Sequence, residues 1–259
     1  MGWLAVGVGG VGGVSAVTAD GPAPLQVAGA VAAVGVYGAV MRRVARRTTP
    51  ETARRGAVRE ALLGGGTGLG FVLASVALIA AFGGFSFAWA GRDVLPVVGS
   101  AIGASVGAAV IEELLFRGLA LQALEQLYGA RTALVVTALL FGGLHLANPG
   151  ATAWSSLAIG LQAGVLLGAA FLWRRSIWFV AGLHFAWNAT EQLLGVPVSG
   201  YPAAGLLTTD VTGPVLLTGG GFGLEASVVP VVVSVLLTVP MLALAHRRDG
   251  LLARRRGAV

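Results

Sequence analysis

Between Val97 and Gln126 the chain reads VVGSAIGASVGAAVIEELLFRGLALQALEQ. The run is long enough to cross the ~30 Å hydrocarbon core of a bilayer as a helix, which takes ~20 residues. Three charges nevertheless lie well inside it: Glu112, Glu113 and Arg117. Each ionised group at mid-helix costs about 2.5–3.5 kcal/mol on insertion. A helix that keeps three of them has a use for them in the interior.

The surrounding composition makes the same point for the whole chain. Of 259 residues, 56% are hydrophobic and 11% charged, against about 25% charged in soluble domains. Mean hydropathy is +0.85. There is too little polar surface here to cover a globule in water. Apolar segments recur at 3–19, 25–41, 61–90, 97–126, 132–147, 153–173, 177–195 and 226–246. A helix satisfies its own backbone in lipid, so each segment is expected to be helical. The expected fold is an all-α polytopic transmembrane bundle of about eight spans. Three regions are expected: N-terminal helices with an Arg-rich loop over 1–96, a core over 97–195, and a loop, last helix and basic tail over 196–259.

Net charge is +6 and every basic residue is Arg. The arginines cluster between apolar segments: Arg42 to Arg59, Arg174 with Arg175, and Arg247 to Arg256. Such clusters mark cytoplasmic loops and meet anionic lipid headgroups; they do not form a face for nucleic acid. With the Arg42–Arg59 loop inside, parity puts the other two clusters inside as well. Both termini are then cytoplasmic, as in a bacterial plasma-membrane protein, and the loop 196–223 lies outside. The absence of Cys excludes disulfides, thiolate metal sites and a cysteine nucleophile.

The first segment is Gly-rich and lacks the basic residue that usually precedes a signal peptide's apolar stretch, so a span is the favoured reading and a signal cleaved after about Ala19 the alternative. Its Gly7–Gly12 spells G-x-G-x-x-G, but no strand precedes it. It is read as close helix packing, not a dinucleotide site. Gly66 and Gly70 form a second small-xxx-small pair, also expected to be a packing face.

Spacing divides the interior charges. Residues four apart share a helix face, so Glu113 is expected to pair with Arg117. Glu112 points ~100° away and has no cation in its own helix, which suits a general base. Of three histidines, His246 sits beside Arg247 at a segment end. His145 follows Phe141 by four, and His184 precedes Asn188 by four, inside spans. Glu191 and Gln162 are further interior polar residues, read as support for a site or as satisfied groups at a helix interface.

No H-E-x-x-H occurs, and there is no convincing intramembrane serine motif or aspartate pair. An attacking nucleophile in such an interior is an activated water. The ordered set Glu112-Glu113-x-x-x-Arg117, Phe141-x-x-x-His145 and His184-x-x-x-Asn188 closely resembles the CPBP family of intramembrane proteases. That family is related to the CAAX prenyl endoprotease, also called Ras-converting enzyme. The resemblance covers about 100–195. It implies that Glu112 and His145 activate water, that His184 and Asn188 stabilise the oxyanion, and that Glu113 with Arg117 braces the site. It leaves open whether the site is metal-free or holds a single Zn2+ on Glu112, His145 and His184. The implied partner is a protein or peptide substrate. A proton- or ion-coupled transporter using the same charges, or a catalytically idle scaffold, are the competing readings.

Overall fold

The computed structural model describes residues 2–202 and 204–256, with side chains through Arg248. The tail arginines Arg254 to Arg256 lie outside the described side chains. An all-α bundle forms, as expected. Helices α1 (Gly2–Thr18), α2 (Ala23–Arg43) and α3 (Ala57–Ala81) precede a short strand, β1 (Phe85–Trp89). Helix α4 (Val94–Glu113) continues through a π-helical stretch, Leu114–Leu121, into α5 (Gln122–Leu144). Gly129, at φ 82° and ψ 164°, breaks α5, so the continuous apolar run Val94–Ala147 is two rods. Helix α6 (Ala153–Ile159) passes through a second π stretch, Gly160–Leu166, into α7 (Leu167–Arg174). Then come α8 (Ile177–Leu194), β2 (Leu207–Val211), α9 (Val215–Thr218) and α10 (Val228–Arg256). Among the described residues five helical runs are long and apolar enough to cross a membrane; α1 is apolar but shorter, and α8 is not among the five.

Two expectations need correction. The segment 61–90 is not helical throughout: α3 ends at Ala81, and Gly83 turns the chain at φ +75°. Phe85–Trp89 then pairs antiparallel with Leu207–Val211. Such a short apolar run reads alike as helix or strand, and the partner strand that satisfies its backbone lies over a hundred residues away. The second correction concerns glycines. A Cβ at Gly66 or Gly70 would meet nothing within 4 Å. The close face lies two residues earlier: Cβ atoms at Gly64 and Gly68 would fall 1.9 Å from the Phe179 carbonyl and 2.2 Å from that of Leu183. Gly182 faces the Ala61 carbonyl in the same way, at 2.3 Å. Glycines on both helices let the α3 and α8 backbones touch. In α1 the expected close packing holds for Gly7, against Leu119, and for Gly10, against Val36, but not for Gly9 or Gly12, where a Cβ would meet nothing within 4 Å.

The arginine clusters gather at one end of the bundle. Arg174 Nε donates to Glu60 Oε2 at 2.9 Å, Trp178 Nε1 to the Ala53 carbonyl at 3.0 Å, and Arg248 to the Trp173 carbonyl at 2.8 Å. Glu51 is buried in the same loop, where it accepts the Tyr37 hydroxyl and Arg47 Nη2. The two-stranded sheet and the loop after α8 lie at the other end, where Arg92 donates to the Gly205 carbonyl.

Candidate active site

Two π-helical turns make the floor of the site. A π turn widens the helix and puts backbone carbonyls out of α register. Arg117 projects from the first such stretch and reaches the second. Its Nη2 donates to the carbonyls of Ala163 at 2.6 Å and Gly164 at 3.2 Å, and its Nη1 donates to Glu113 Oε1 at 3.0 Å. Arg117 is 2% exposed and Glu113 fully buried. A buried guanidinium needs this many acceptors, because an uncompensated charge at that depth is strongly destabilising. The expected Glu113–Arg117 pair is therefore present.

Glu113 Oε1 has a second partner. His184 Nδ1, on α8, lies 3.0 Å away, so one carboxylate joins α4 to α8. Phe141 packs at the junction of the three motifs. Its ring lies 5.1 Å from the Arg117 guanidinium, stacks on His145 at 4.8 Å, and meets His184 edge-on at 6.4 Å.

Above this floor is a cavity of about 420 Å³. Glu112, His145, His184 and Asn188 all line it. Glu112 is half-buried where its neighbour Glu113 is fully enclosed, as the ~100° turn between them requires. His145 Nδ1 donates to the Phe141 carbonyl at 2.7 Å. A carbonyl can only accept, so this contact fixes the tautomer and leaves the Nε2 lone pair free. In His184 the contact with Glu113 occupies Nδ1 in the same way, leaving Nε2 for the cavity.

The roof comes from the loop after α8: Val198, Ser199, Tyr201 and Glu225. Glu225 is a site residue that spacing did not reveal. It is 2% exposed, and its Oε1 accepts from the Ser199 amide and hydroxyl, both at 3.0 Å. Its carboxyl also meets that of Glu191, whose Oε1 accepts from Trp187 Nε1 at 3.0 Å. Burial pushes the Glu225 carboxyl above the usual carboxylate range. Gln162 is fully buried and donates to the Glu225 backbone carbonyl at 2.8 Å. Glu191 and Gln162 thus hold the roof and do not themselves line the cavity. No local signal marked Glu225, which stands alone in a Gly-rich loop.

Among the described residues no group of three or more His, Cys, Asp or Glu side chains is placed to hold a metal ion.

Residues 94–190 match the family of Rce1-like type II CAAX prenyl endopeptidases. The match covers less than half of the chain, and over it the chain is similar to the Rce1-like endopeptidases. The Rce1-like segment runs from the start of α4 into the last turns of α8 and contains all three motifs. Glu191 falls just past its end and Glu225 well beyond it. No curated protein and no solved structure matches the chain significantly.

Proposed function

We propose that the chain is an integral membrane endopeptidase that hydrolyses a peptide bond with a water activated between Glu112 and His145. The observation that supports this most is convergence: polar side chains from α4, α8 and the end of α5 line one cavity. Glu112 is the only one of the two adjacent glutamates without an arginine on it. The free Nε2 of His145 accepts a hydrogen bond from the water and orients its lone pair. Glu112 takes the water's proton as the oxygen attacks the peptide carbonyl, then returns it to the leaving amine. His184, carried as an imidazolium with its Nδ1–H on the Glu113 carboxylate, donates its Nε2–H to the oxyanion alongside the Asn188 amide, and the apolar walls keep competing water out. Glu113 holds His184 in place through Nδ1, and Arg117 holds Glu113.

In this reading no metal takes part. The substrate is a protein or peptide reached at the membrane, and a prenylated CAAX end, which the family's description names, is one member of that class. The cavity is roofed by residues of the loop after α8, so substrate enters from the sheet-bearing end of the bundle. By the arginine parity that end is extracytoplasmic.

The test is a quenched-fluorescence peptide library incubated with the purified chain in detergent. Wild type cleaves a subset of peptides with or without chelator, and Glu112→Ala, His145→Ala and His184→Ala lose that cleavage. Unchanged cleavage in all three variants refutes the assignment. Proton flux in proteoliposomes that is lost in the same variants, with no peptide cleaved, replaces it with transport.

A further inference from the structure

A cavity larger than the one just described lies elsewhere in the bundle. A groove of about 850 Å³ runs along α2 from Val27 to Arg42, against Val106 and Val110 of α4 and Trp178 of α8. Fifteen residues of helix separate its two ends, which is ~22 Å at 1.5 Å per residue. The packing explains why it opens. At the sheet-bearing end α2 and α4 are in contact: a Cβ at Gly103 would lie 2.4 Å from that of Ala23, and one at Gly107 would lie 3.3 Å from Gln26 Cβ. Toward the arginine end the facing residues shrink to Gly35 and Gly38, and a Cβ at Gly35 would meet nothing within 4 Å.

The groove's chemistry changes along its length. Its body is valine, alanine and glycine, while its mouth carries Arg42, Arg54, Thr49 and Thr52. Arg42 and Arg54 are exposed, and the ion pairs of the arginine end go to other residues, Arg47, Arg174 and Arg175. Two cations and two hydroxyls above an apolar slot are complementary to a phosphate on hydrocarbon. At Val106, Val110 and Trp178 the groove also meets a second apolar cavity, of about 370 Å³, between α3, α4 and α8. One polar mouth therefore serves two apolar branches.

From this we infer that the groove is a binding site for a two-chain anionic phospholipid, with its phosphate on Arg42 and Arg54 and one acyl chain in each branch. The site uses the face of α4 opposite the one that carries Glu112, since Val110 and Glu112 lie ~200° apart on the helix. It is independent of the cavity chemistry. An anionic lipid is in place at that end if the arginines face the cytoplasmic leaflet, where such lipids concentrate.

Trp178 reports on occupancy. The full chain is reconstituted in phosphatidylcholine vesicles containing increasing fractions of dibrominated phosphatidylglycerol or dibrominated phosphatidylcholine. The Trp178 signal is the difference between wild type and Trp178→Phe. Brominated phosphatidylglycerol is expected to half-quench that signal at about a tenfold lower mole fraction than the zwitterionic lipid. The Arg42→Gln/Arg54→Gln double variant should quench equally with both. Gly35→Leu keeps both charges and fills the slot, and should weaken quenching by both lipids. Equal quenching of wild type by the two lipids overturns the proposal, as does a preference that survives in the double variant. Failure of either lipid to quench overturns it too, since the groove is then covered by protein such as a second copy of the chain.

Discussion

His184 Nδ1 and Arg117 Nη1 lie at the same distance, 3.0 Å, from the same oxygen, Oε1 of Glu113. That one carboxylate oxygen ties the π turn of α4 to α8 and sets the position of a histidine that lines the cavity. Two adjacent glutamates of like chemistry are thereby separated in role. Glu113 is occupied by two partners, and Glu112 faces the cavity.

Glu112→Gln and Glu113→Gln are therefore expected to fail differently. Glu112→Gln should fold with a melting temperature close to wild type and lose about 10²–10⁴ in kcat, the usual contribution of a general base. Glu113→Gln leaves Arg117 without its anion and should cost about 3–5 kcal/mol of stability, the cost of breaking a buried pair. Thermal unfolding of both variants, set beside their cleavage rates, checks the division. A Glu113→Gln protein as stable as wild type would contradict it.

Asn188→Ala should lower kcat by about 10²–10³ with little change in KM, since an oxyanion donor acts on the transition state and not on bound substrate. A change confined to KM would make Asn188 a substrate contact. Steady-state kinetics on one cleaved peptide separates the two.

The roof should loosen as pH rises. Glu225 binds its proton more tightly in the fold than the ordinary carboxylate value of 4.5 allows, so the folded state holds more protons than the unfolded chain above that value. Its contribution is complete below 4.5 and is lost as pH climbs from there through the raised folded value. Melting temperature should fall over that range. Glu225→Gln, neutral at every pH, should flatten the slope; an unchanged slope would remove Glu225 as its source.

The α3–α8 contact can be tested by a pair of alanines. Gly64→Ala drives a methyl into the Phe179 carbonyl, where the space is 1.9 Å, and should destabilise by about 1–3 kcal/mol. Gly66→Ala meets nothing within 4 Å and should be neutral or stabilise by up to about 1 kcal/mol, as Gly→Ala does inside a helix.

Much of this was legible in the sequence, for identifiable reasons. Membrane helices declare themselves by length and hydropathy, and charges within them stand out against apolar neighbours. The i, i+4 spacing of Glu113 with Arg117 named a pair that the fold contains, because it depends on local geometry alone. What escaped depended on distant segments or on departures from α geometry. Strand β1 needed β2 from across the chain. Gly64 and Gly68 differ from Gly66 and Gly70 only in which face meets α8. The two π stretches shift the register by which side chains are projected onto a helix face. Glu225 enters the cavity through a loop with no periodicity to read.

The absence of cysteine makes the orientation measurable. Single Arg54→Cys and Asp210→Cys variants place a thiol at opposite ends of the bundle. In intact cells a membrane-impermeant maleimide should label the Asp210 position and spare that of Arg54. The reverse pattern would turn the cavity toward the cytoplasm.

The central claim is that Glu112 and His145 act on one water, and the most direct test is a double-mutant cycle on kcat/KM. Groups that serve a single step lose their effect together. Glu112→Gln, His145→Ala and the double variant are each expected to fall to about the same residual rate. Losses that multiply in the double variant, or full cleavage in either single variant, would contradict the account.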